Sequence, residues 1–390
     1  ARPLLTTPIY DKQKAAGAQF GAAYGLEIPL WYAPKNTSDV FSWRRSTDFD
    51  HVGAEARAVR ESVGLSDISG FAKYRVSGAG AADWLDHILA CRLPAVGRMV
   101  LAPMLKDDGK IIGDFSLSRL DDDSFLIIGS GIAESYHMRW FLAHLPDTGD
   151  VEINSLGLDL VGLTLAGPKS RDVLQSCVSV DISHDSMRFM AIKQIDIGMI
   201  PAIVGRVSYT GDLGYEIWVA PAYLNSLFDQ LMTAGAAHDI RLFGSRALNA
   251  LRLEKNYGSW GREYRPIYGP VETGLDAFVA YDKPADFIGK SAALAERDSG
   301  GTMRLCSFVI EAKDADVIGD EPIAHNGTVV GWVTSGGYAH GAGKSMAQGY
   351  VPKNIADDDS GWSVELLGQI LPAKRQKIPL FDANASRMRS

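Results

Sequence analysis

Residues 208–218 read Ser-Tyr-Thr-Gly-Asp-Leu-Gly-Tyr-Glu-Ile-Trp. Gly211 and Gly214 bracket a turn, and the aromatic and β-branched residues after it predict a strand. Glu216 lies within that strand, where a carboxylate loses hydration unless hydrogen-bond donors face it. A carboxylate accepts two parallel N–H bonds, which suits an aminopyrimidine or a guanidinium edge. A plain hairpin with one exposed glutamate is the alternative interpretation.

A second informative stretch is a β-hairpin pattern earlier in the chain. The polar turn Lys106–Gly109 separates the apolar runs 100–105 and 111–120, which is a strong local hairpin signal. Asp114 interrupts the second run, on the face opposite Phe115 by strand alternation. A carboxylate in that position is either exposed on a solvent face or partly buried and paired, and both interpretations stay open.

A third stretch, residues 245–256, has the pattern of an amphipathic helix. Leu248 and Leu251 form one apolar stripe, and Arg252 lies beside it. Tyr257 follows the helix directly. A surface helix with paired charges explains most of this pattern without any function.

The rest of the chain predicts an α+β protein in three parts. The aromatic, loop-like residues 1–50 are expected to form a packed strap, because so many large rings are costly to leave in water. Residues 51–298 follow as one domain of two lobes with a break near 150, and its first helix over 54–63 is expected to end at Gly64. Short β runs with glycine turns over 303–380 predict a small β-barrel.

Composition excludes several classes of protein. The 390 residues include 39 Lys and Arg against 47 Asp and Glu, giving a formal charge of −8. That balance argues against binding to nucleic acid or to an anionic membrane. The eight histidines lack metal-ligand spacing, so no metal site is expected. Three scattered cysteines indicate a reducing compartment, and we expect the cytoplasm.

The three stretches occur in one order with two later motifs, Pro-Val-Glu-Thr-Gly-Leu at 270–275 and Asp-Phe-Ile-Gly-Lys at 286–290. The order and the residue identities of these motifs resemble those of the folate-dependent aminomethyltransferase (glycine-cleavage T-protein) superfamily. The motif sequences most resemble those in the C-terminal, folate-binding half of dimethylglycine and sarcosine dehydrogenases. The resemblance covers nearly the whole chain from about residue 50. It implies a T-protein-like cloverleaf of α+β lobes with a C-terminal β-barrel domain.

The resemblance also implies a site. Asp114 matches the essential aspartate beside the reactive amines of tetrahydrofolate, and Glu216 matches the acid that hydrogen-bonds the pterin amino edge. The family arginine would fall on Leu248, so a neighbouring arginine is the candidate substitute. The folate-binding candidates besides Glu216 are Tyr209, Tyr257, Arg246 and Arg252. Two further family positions fall on Leu101 and on 129–131, and these departures favour a donor other than the glycine-cleavage substrate.

The expected function is therefore tetrahydrofolate-dependent transfer of a methyl or methylene group from a small methylated donor such as an N-methyl amine. Two alternatives stay open: a folate-binding subunit of a multi-subunit amine oxidase or dehydrogenase, and an O- or S-demethylase of the same fold. The flavin-binding half of the dehydrogenases has no counterpart in these residues. We therefore expect tetrahydrofolate as the organic cofactor, no flavin, and a separate flavoprotein subunit as a candidate partner.

Overall fold

The structure of the protein is a computed structural model that describes residues 2–34 and 37–390. Ala1, Lys35 and Asn36, which the predicted strap includes, lie outside the described residues. The helices are α1 (Tyr10–Ala15), α2 (Phe49–Glu61), α3 (Ala81–Ile88), α4 (Glu134–Ala143), α5 (Ser170–Gln175), α6 (Leu224–Gly235), α7 (Ser245–Glu254), α8 (Pro270–Thr273), α9 (Lys290–Ser299) and α10 (Ser386–Arg389). The strands before residue 300 are β1 (Ala18–Ala23), β2 (Leu26–Tyr32), β3 (Gly64–Asp67), β4 (Ala72–Ser77), β5 (Arg98–Leu105), β6 (Ile111–Asp121), β7 (Ser124–Gly129), β8 (Glu152–Ser155), β9 (Val161–Ala166), β10 (Ile192–Ile197), β11 (Ile200–Gly205), β12 (Gly214–Val219) and β13 (Arg241–Leu242). The later strands are β14 (Met303–Ile310), β15 (Pro322–His325), β16 (Thr328–Ala339), β17 (Lys344–Pro352), β18 (Trp362–Leu366) and β19 (Gln369–Gln376).

Two sheets form the centre of the fold. One has the strand order β5-β6-β7-β4-β8, and the other has the order β10-β11-β12-β9-β3-β13. Each sheet packs one face against helices. Phe115 and Leu117 of β6 share a core with α3 and α4, whereas Tyr215 and Ile217 of β12 share a core with α5 and α6. The predicted hairpin is confirmed as β5 and β6.

The other faces of the two sheets pack against each other and form an inner layer. Ile128 of β7 and Trp218 of β12 belong to one apolar cluster in this layer. Ile128 pairs with Ser116 of β6, and directly paired residues share a face of the sheet. Asp114 lies two residues before Ser116, and Glu216 lies two residues before Trp218. Both carboxylates therefore project into the inner layer, from opposite sheets.

The predicted end of the first long helix is wrong. Helix α2 begins at Phe49 and ends at Glu61, and Gly64 is a residue of strand β3 rather than a helix cap. Glycine is required there by close packing, since an added Cβ would lie 2.5 Å from a methyl of Val59 and 2.7 Å from the ring of Phe243. The glycine predicts a helix end, but in the structure it marks the close approach of Val59 and Phe243 to β3.

The structure of the N-terminal residues differs in two ways from the packed, loop-like strap that the sequence predicts. Strands β1 and β2 form a two-stranded sheet where a loop-like strap was expected. Trp31 of this sheet is completely buried, but Phe41 and Trp43 are 81% and 64% exposed, so the expectation that all the large rings pack is wrong. Phe41 and Trp43 pack against each other instead, with ring centroids 5.2 Å apart. Arg45 ties this part to the barrel domain through a bidentate pair with Asp316.

The later strands close into a barrel of order β14-β17-β16-β15-β18-β19. Its interior is apolar and contains Phe308, Ile323 and Val364. Helix α7 reaches the barrel wall, where the Asn249 Nδ2 donates to the Gly336 carbonyl over 3.3 Å. The α+β fold with a C-terminal β-barrel is thus confirmed. Within residues 2–34 and 37–390, no helix has the length and apolar character to cross a membrane.

Candidate active site

Asp114 is half-buried on the inner face of β6. Its Oδ1 atom is shielded from water and has no hydrogen-bond partner among the described residues. Burial raises the pKa of Asp114 to about 8, and the negative charge of Glu263 acts in the same direction. A backbone hydrogen bond within Asp114 opposes the shift. The carboxyl therefore titrates near neutral pH, as a general base requires.

Glu216 projects into the same layer from β12. It pairs with Thr164 of β9 and Gly205 of β11, and it is only 8% exposed. In the part of the chain that the structure describes, its carboxylate accepts no hydrogen bond, and burial raises its pKa to about 7. A buried carboxylate with two free acceptor oxygens can bind a neutral ligand edge that offers paired N–H donors.

Tyr209 lies in the turn of residues 208–213, directly before β12. Hydroxyl and amide groups close this turn: the Ser208 and Thr210 hydroxyls lie 2.7 Å apart, and the Asp212 amide donates to Thr210 Oγ1 over 3.2 Å. The Tyr209 hydroxyl donates to the Gly258 carbonyl over 2.5 Å. Burial raises the pKa of Tyr209 above its ordinary value, and the charge of Asp114 contributes to the shift. The turn thus brings Tyr209 near Asp114.

Tyr257 stacks on Tyr209 just after helix α7. The two ring centroids are 6.0 Å apart and the ring planes are inclined by 19°. Tyr257 donates from its hydroxyl to the Met388 Sδ over 3.0 Å. The pair forms a half-buried aromatic wall, of the kind on which flat heteroaromatic rings stack.

Arg252 is close to the aromatic pair, and its Nε and Nη1 atoms donate hydrogen bonds within the protein. The guanidinium Nη1 donates to the Tyr257 carbonyl over 2.8 Å and to Gln348 Oε1 over 2.9 Å, and it pairs with Glu263 Oε2 over 3.1 Å. Its side chain is 5% exposed. Through Nη1, Arg252 therefore ties α7 to the loop that follows it and to the barrel.

Arg246 lies at the opposite end of α7 from Arg252. Its guanidinium pairs with Asp39 and Asp48, at 2.9 and 2.8 Å. These carboxylates belong to the N-terminal part and to the start of α2. The structure does not bring Arg246 into contact with Asp114, Tyr209 or the other candidates.

Two residues that sequence reasoning missed complete the surroundings of Asp114. Glu263 is completely buried and accepts from Thr334 Oγ1 over 2.7 Å and from the Ser259 amide over 2.9 Å. The pKa of Tyr264 is raised well above its ordinary value by burial, with the charge of Asp114 contributing. Both residues lie in a charged stretch that is typical of an exposed loop. The aromatic rings within that stretch were the available signal of burial.

These groups fit tetrahydrofolate as a ligand. The inner layer offers a carboxylate oxygen that has no partner in the described ranges, a second buried carboxylate, and a stacked tyrosine pair. A reduced pterin has an amino-pyrimidine edge that donates paired N–H groups, and the arrangement supplies their acceptors. Among the residues that the structure describes, no group of His, Cys, Asp and Glu side chains has the geometry to hold a metal ion.

Comparisons with known proteins show which family and fold the chain is similar to. Two domain families match most of the chain: the GCVT N-terminal domain matches residues 9–283, and the glycine cleavage T-protein C-terminal barrel domain matches residues 304–382. The structure also superposes on the glycine cleavage system aminomethyltransferase T from Bartonella henselae, with a TM-score of 0.84 and 23% identity over 97% of this chain and 99% of that one. That similarity concerns the fold.

Curated relatives include much longer proteins. The mitochondrial dimethylglycine dehydrogenase of Homo sapiens is 37% identical over 94% of this chain and 42% of its own length. The formaldehyde-forming 4-methylaminobutanoate oxidase of Paenarthrobacter nicotinovorans is 30% identical over the whole of this chain and 47% of its own length. The chain thus spans less than half the length of these relatives. Together the domain matches and the fold show that the chain belongs to the glycine cleavage T-protein (aminomethyltransferase) family.

Proposed function

We propose that the protein transfers a one-carbon unit, methyl or methylene, to tetrahydrofolate from a small methylated donor such as an N-methyl amine. The observation that supports this most is the Asp114 carboxylate in the inner layer, with its buried Oδ1 unpartnered among the described residues and its pKa raised to about 8. A carboxylate held in this way is destabilising unless a ligand uses it.

Tetrahydrofolate supplies the nitrogen that receives the one-carbon unit. Glu216 accepts hydrogen bonds from the amino-pyrimidine edge and so fixes its orientation. Tyr209 and Tyr257 provide an aromatic wall beside the ligand. Asp114 accepts the proton that the receiving nitrogen loses, and the inner layer excludes water from the reacting groups.

Electron balance and the names of the relatives support this donor class. Transfer of a methyl group between two nitrogens needs no oxidant, because the N–C bond that breaks is replaced by one that forms. A methylene group has to arrive as an oxidised amine, an iminium ion, and this requires an oxidation elsewhere. The two relatives reported above are named for the oxidation of N-methylated amino acids. An O- or S-methyl donor is the alternative within the same fold.

A second function is a folate-binding subunit or module whose donor is oxidised by a flavoprotein partner. The observation that favours it is the length of the relatives, since this chain spans 42% of the human dimethylglycine dehydrogenase. We also propose that the folate site belongs to residues 51–298, with the strap over 1–50 and the barrel over 303–380 in supporting roles. The cytoplasm remains our prediction for the compartment.

The test compares Asp114→Asn with Asp107→Asn. Asp107 is exposed in the turn of the same hairpin, so its substitution is a matched control for the loss of one carboxylate. We expect Asp114→Asn to fold and to lose about 100-fold in turnover at saturating tetrahydrofolate, the range of general-base catalysis, while Asp107→Asn is unchanged. The assay follows the methyl- or methylene-tetrahydrofolate formed from a panel of methylated amines, methoxyaromatics and sulfonium compounds.

The same assay separates the two functions. Product formed by the isolated protein supports the transferase. Tetrahydrofolate binding without product, restored by an amine-oxidising flavoprotein, supports the subunit. Full turnover of Asp114→Asn at saturating folate contradicts the assignment of Asp114.

A further inference from the structure

Residues 381–390, called here the clasp, leave the barrel domain and return to the two-sheet domain. The Phe381 amide donates to the Glu254 carbonyl at the end of α7, over 3.1 Å. Further along the clasp, Arg206 donates to the Met388 carbonyl over 3.4 Å. The clasp therefore packs beside the end of α7 and close to the turn that precedes β12.

Arg387 of the clasp contacts this turn through an ion pair. Its Nε lies 2.9 Å from Asp212 Oδ1, and the Asp212 side chain is completely buried. Its Nη2 donates to the carbonyl of Arg60 over 2.6 Å. Arg60 in turn donates to the Thr210 carbonyl over 2.8 Å and pairs with Asp212 Oδ2 over 3.1 Å. The Arg60 guanidinium thus bonds the backbone of the turn, and both guanidinium groups pair with the Asp212 side chain.

The clasp also contacts the other member of the aromatic pair. Met388 is buried, and its Sδ accepts the hydroxyl hydrogen of Tyr257 over 3.0 Å. Phe381 stacks on the Arg60 guanidinium, with the ring centroid 3.5 Å from Cζ. One short segment therefore fixes both the turn that includes Tyr209 and the side chain of Tyr257.

We propose that the clasp is a positioning element of the folate site, in which Arg387 holds Asp212 and thereby sets the position of Tyr209 against Tyr257. This inference rests on the proposed function. Arg387 acts through Asp212 and does not itself touch the reacting groups. Without Arg387, the buried Asp212 loses one of its two guanidinium partners, and the remaining one, Arg60, also pairs with Glu254. The turn then gains conformational freedom that ligand binding has to remove.

The test compares Arg387→Ala with Asn384→Ala, a substitution at an exposed position of the same segment. Two quantities are measured on the full chain: the Kd for tetrahydrofolate under anaerobic conditions, and amide hydrogen exchange in residues 208–214 without ligand. We expect Arg387→Ala to raise the Kd about tenfold, or ~1.4 kcal/mol, to speed exchange in the turn, and to leave kcat at saturating folate within about threefold of wild type. Asn384→Ala should match wild type in all three.

If Arg387→Ala does not fold, Arg387→Lys replaces it in the same measurements. It keeps a charge opposite Asp212 but loses the planar fork, so a smaller rise in Kd is expected. Unchanged exchange in the turn overturns the inference, and so does faster exchange with an unchanged Kd. A wild-type protein without affinity for tetrahydrofolate overturns the proposed function instead. In that case, amide hydrogen exchange in residues 208–214 still tests whether the clasp restrains the turn.

Discussion

At Asp114, folding and catalysis make opposite demands on one carboxyl group. Burial favours the neutral acid, and a general base has to be ionised. Because the pKa of Asp114 is raised to about 8, most of the free protein at pH 7 has this group protonated. The neighbouring charge of Glu263 keeps the value high, and a bound cation or proton donor lowers it.

The first prediction concerns the pH dependence of the reaction. If the ionised carboxylate of Asp114 is the base, kcat/KM levels off above about pH 8 and falls below it, more steeply below about pH 7, where the Glu216 carboxylate is protonated as well. Initial rates between pH 5.5 and 9.5 check this, with Asp107→Asn as the control. A profile that is flat over this range, or that falls with rising pH, contradicts the assignment.

Substitution of Glu216 should weaken tetrahydrofolate binding without removing the proton acceptor of the reaction. The proposed reaction gives Glu216 no part in proton transfer, and the residue is only 8% exposed. We expect Glu216→Ala to weaken tetrahydrofolate binding by roughly 1.5–3 kcal/mol, the range for hydrogen bonds to a charged group. Calorimetry measures the loss, and Glu365→Ala, at an exposed strand position in the barrel, is the control. An unchanged affinity would remove Glu216 from the site.

At the scale of elements, the sequence predicted the strands and helices that have a regular period. The hairpin around Lys106–Gly109 and the later β runs follow from alternation and from turn residues alone. The role of Gly64 did not follow, because the contacts that require glycine come from Phe243, far along the chain. Exposure of Phe41 was missed for a related reason, since composition does not show which rings find a neighbouring core.

The ion pair between Arg252 and Glu263 joins helix α7 to the loop that follows it. Its two side chains are 5% and 0% exposed, so removal of one partner leaves a buried charge uncompensated. We expect Arg252→Met to lower the free energy of unfolding by about 3–5 kcal/mol. Urea titration measures this, and Arg92→Ala, which breaks an exposed pair with Asp282, should change stability by less than ~1 kcal/mol. Equal effects of the two variants would show that the Arg252 pair is not a structural tie.

At the scale of the whole molecule, the candidate site is built from parts that are distant in sequence. Asp114 comes from one sheet, Glu216 from the other, and Glu263 from the segment that leads to the barrel. The resemblance to a family suggests the first two as candidates, because short motifs surround them. Local sequence did not identify Glu263 or the clasp, since their roles depend on how the barrel packs against both sheets.

Because both sheets contribute to the candidate site, we expect a ligand in the inner layer to stabilise the whole molecule and not one domain. Tetrahydrofolate at 100 times its Kd should raise the free energy of unfolding by about 2.7 kcal/mol, because it binds only the assembled site. Amide exchange should slow in both β6 and β12, since the ligand contacts Asp114 and Glu216 from opposite sheets. Glu216→Ala at the same ligand concentration should show a smaller stabilisation, in proportion to its weaker binding. Slower exchange in only one of the two sheets would mean that the ligand does not lie between them, and would contradict the site proposed for this protein.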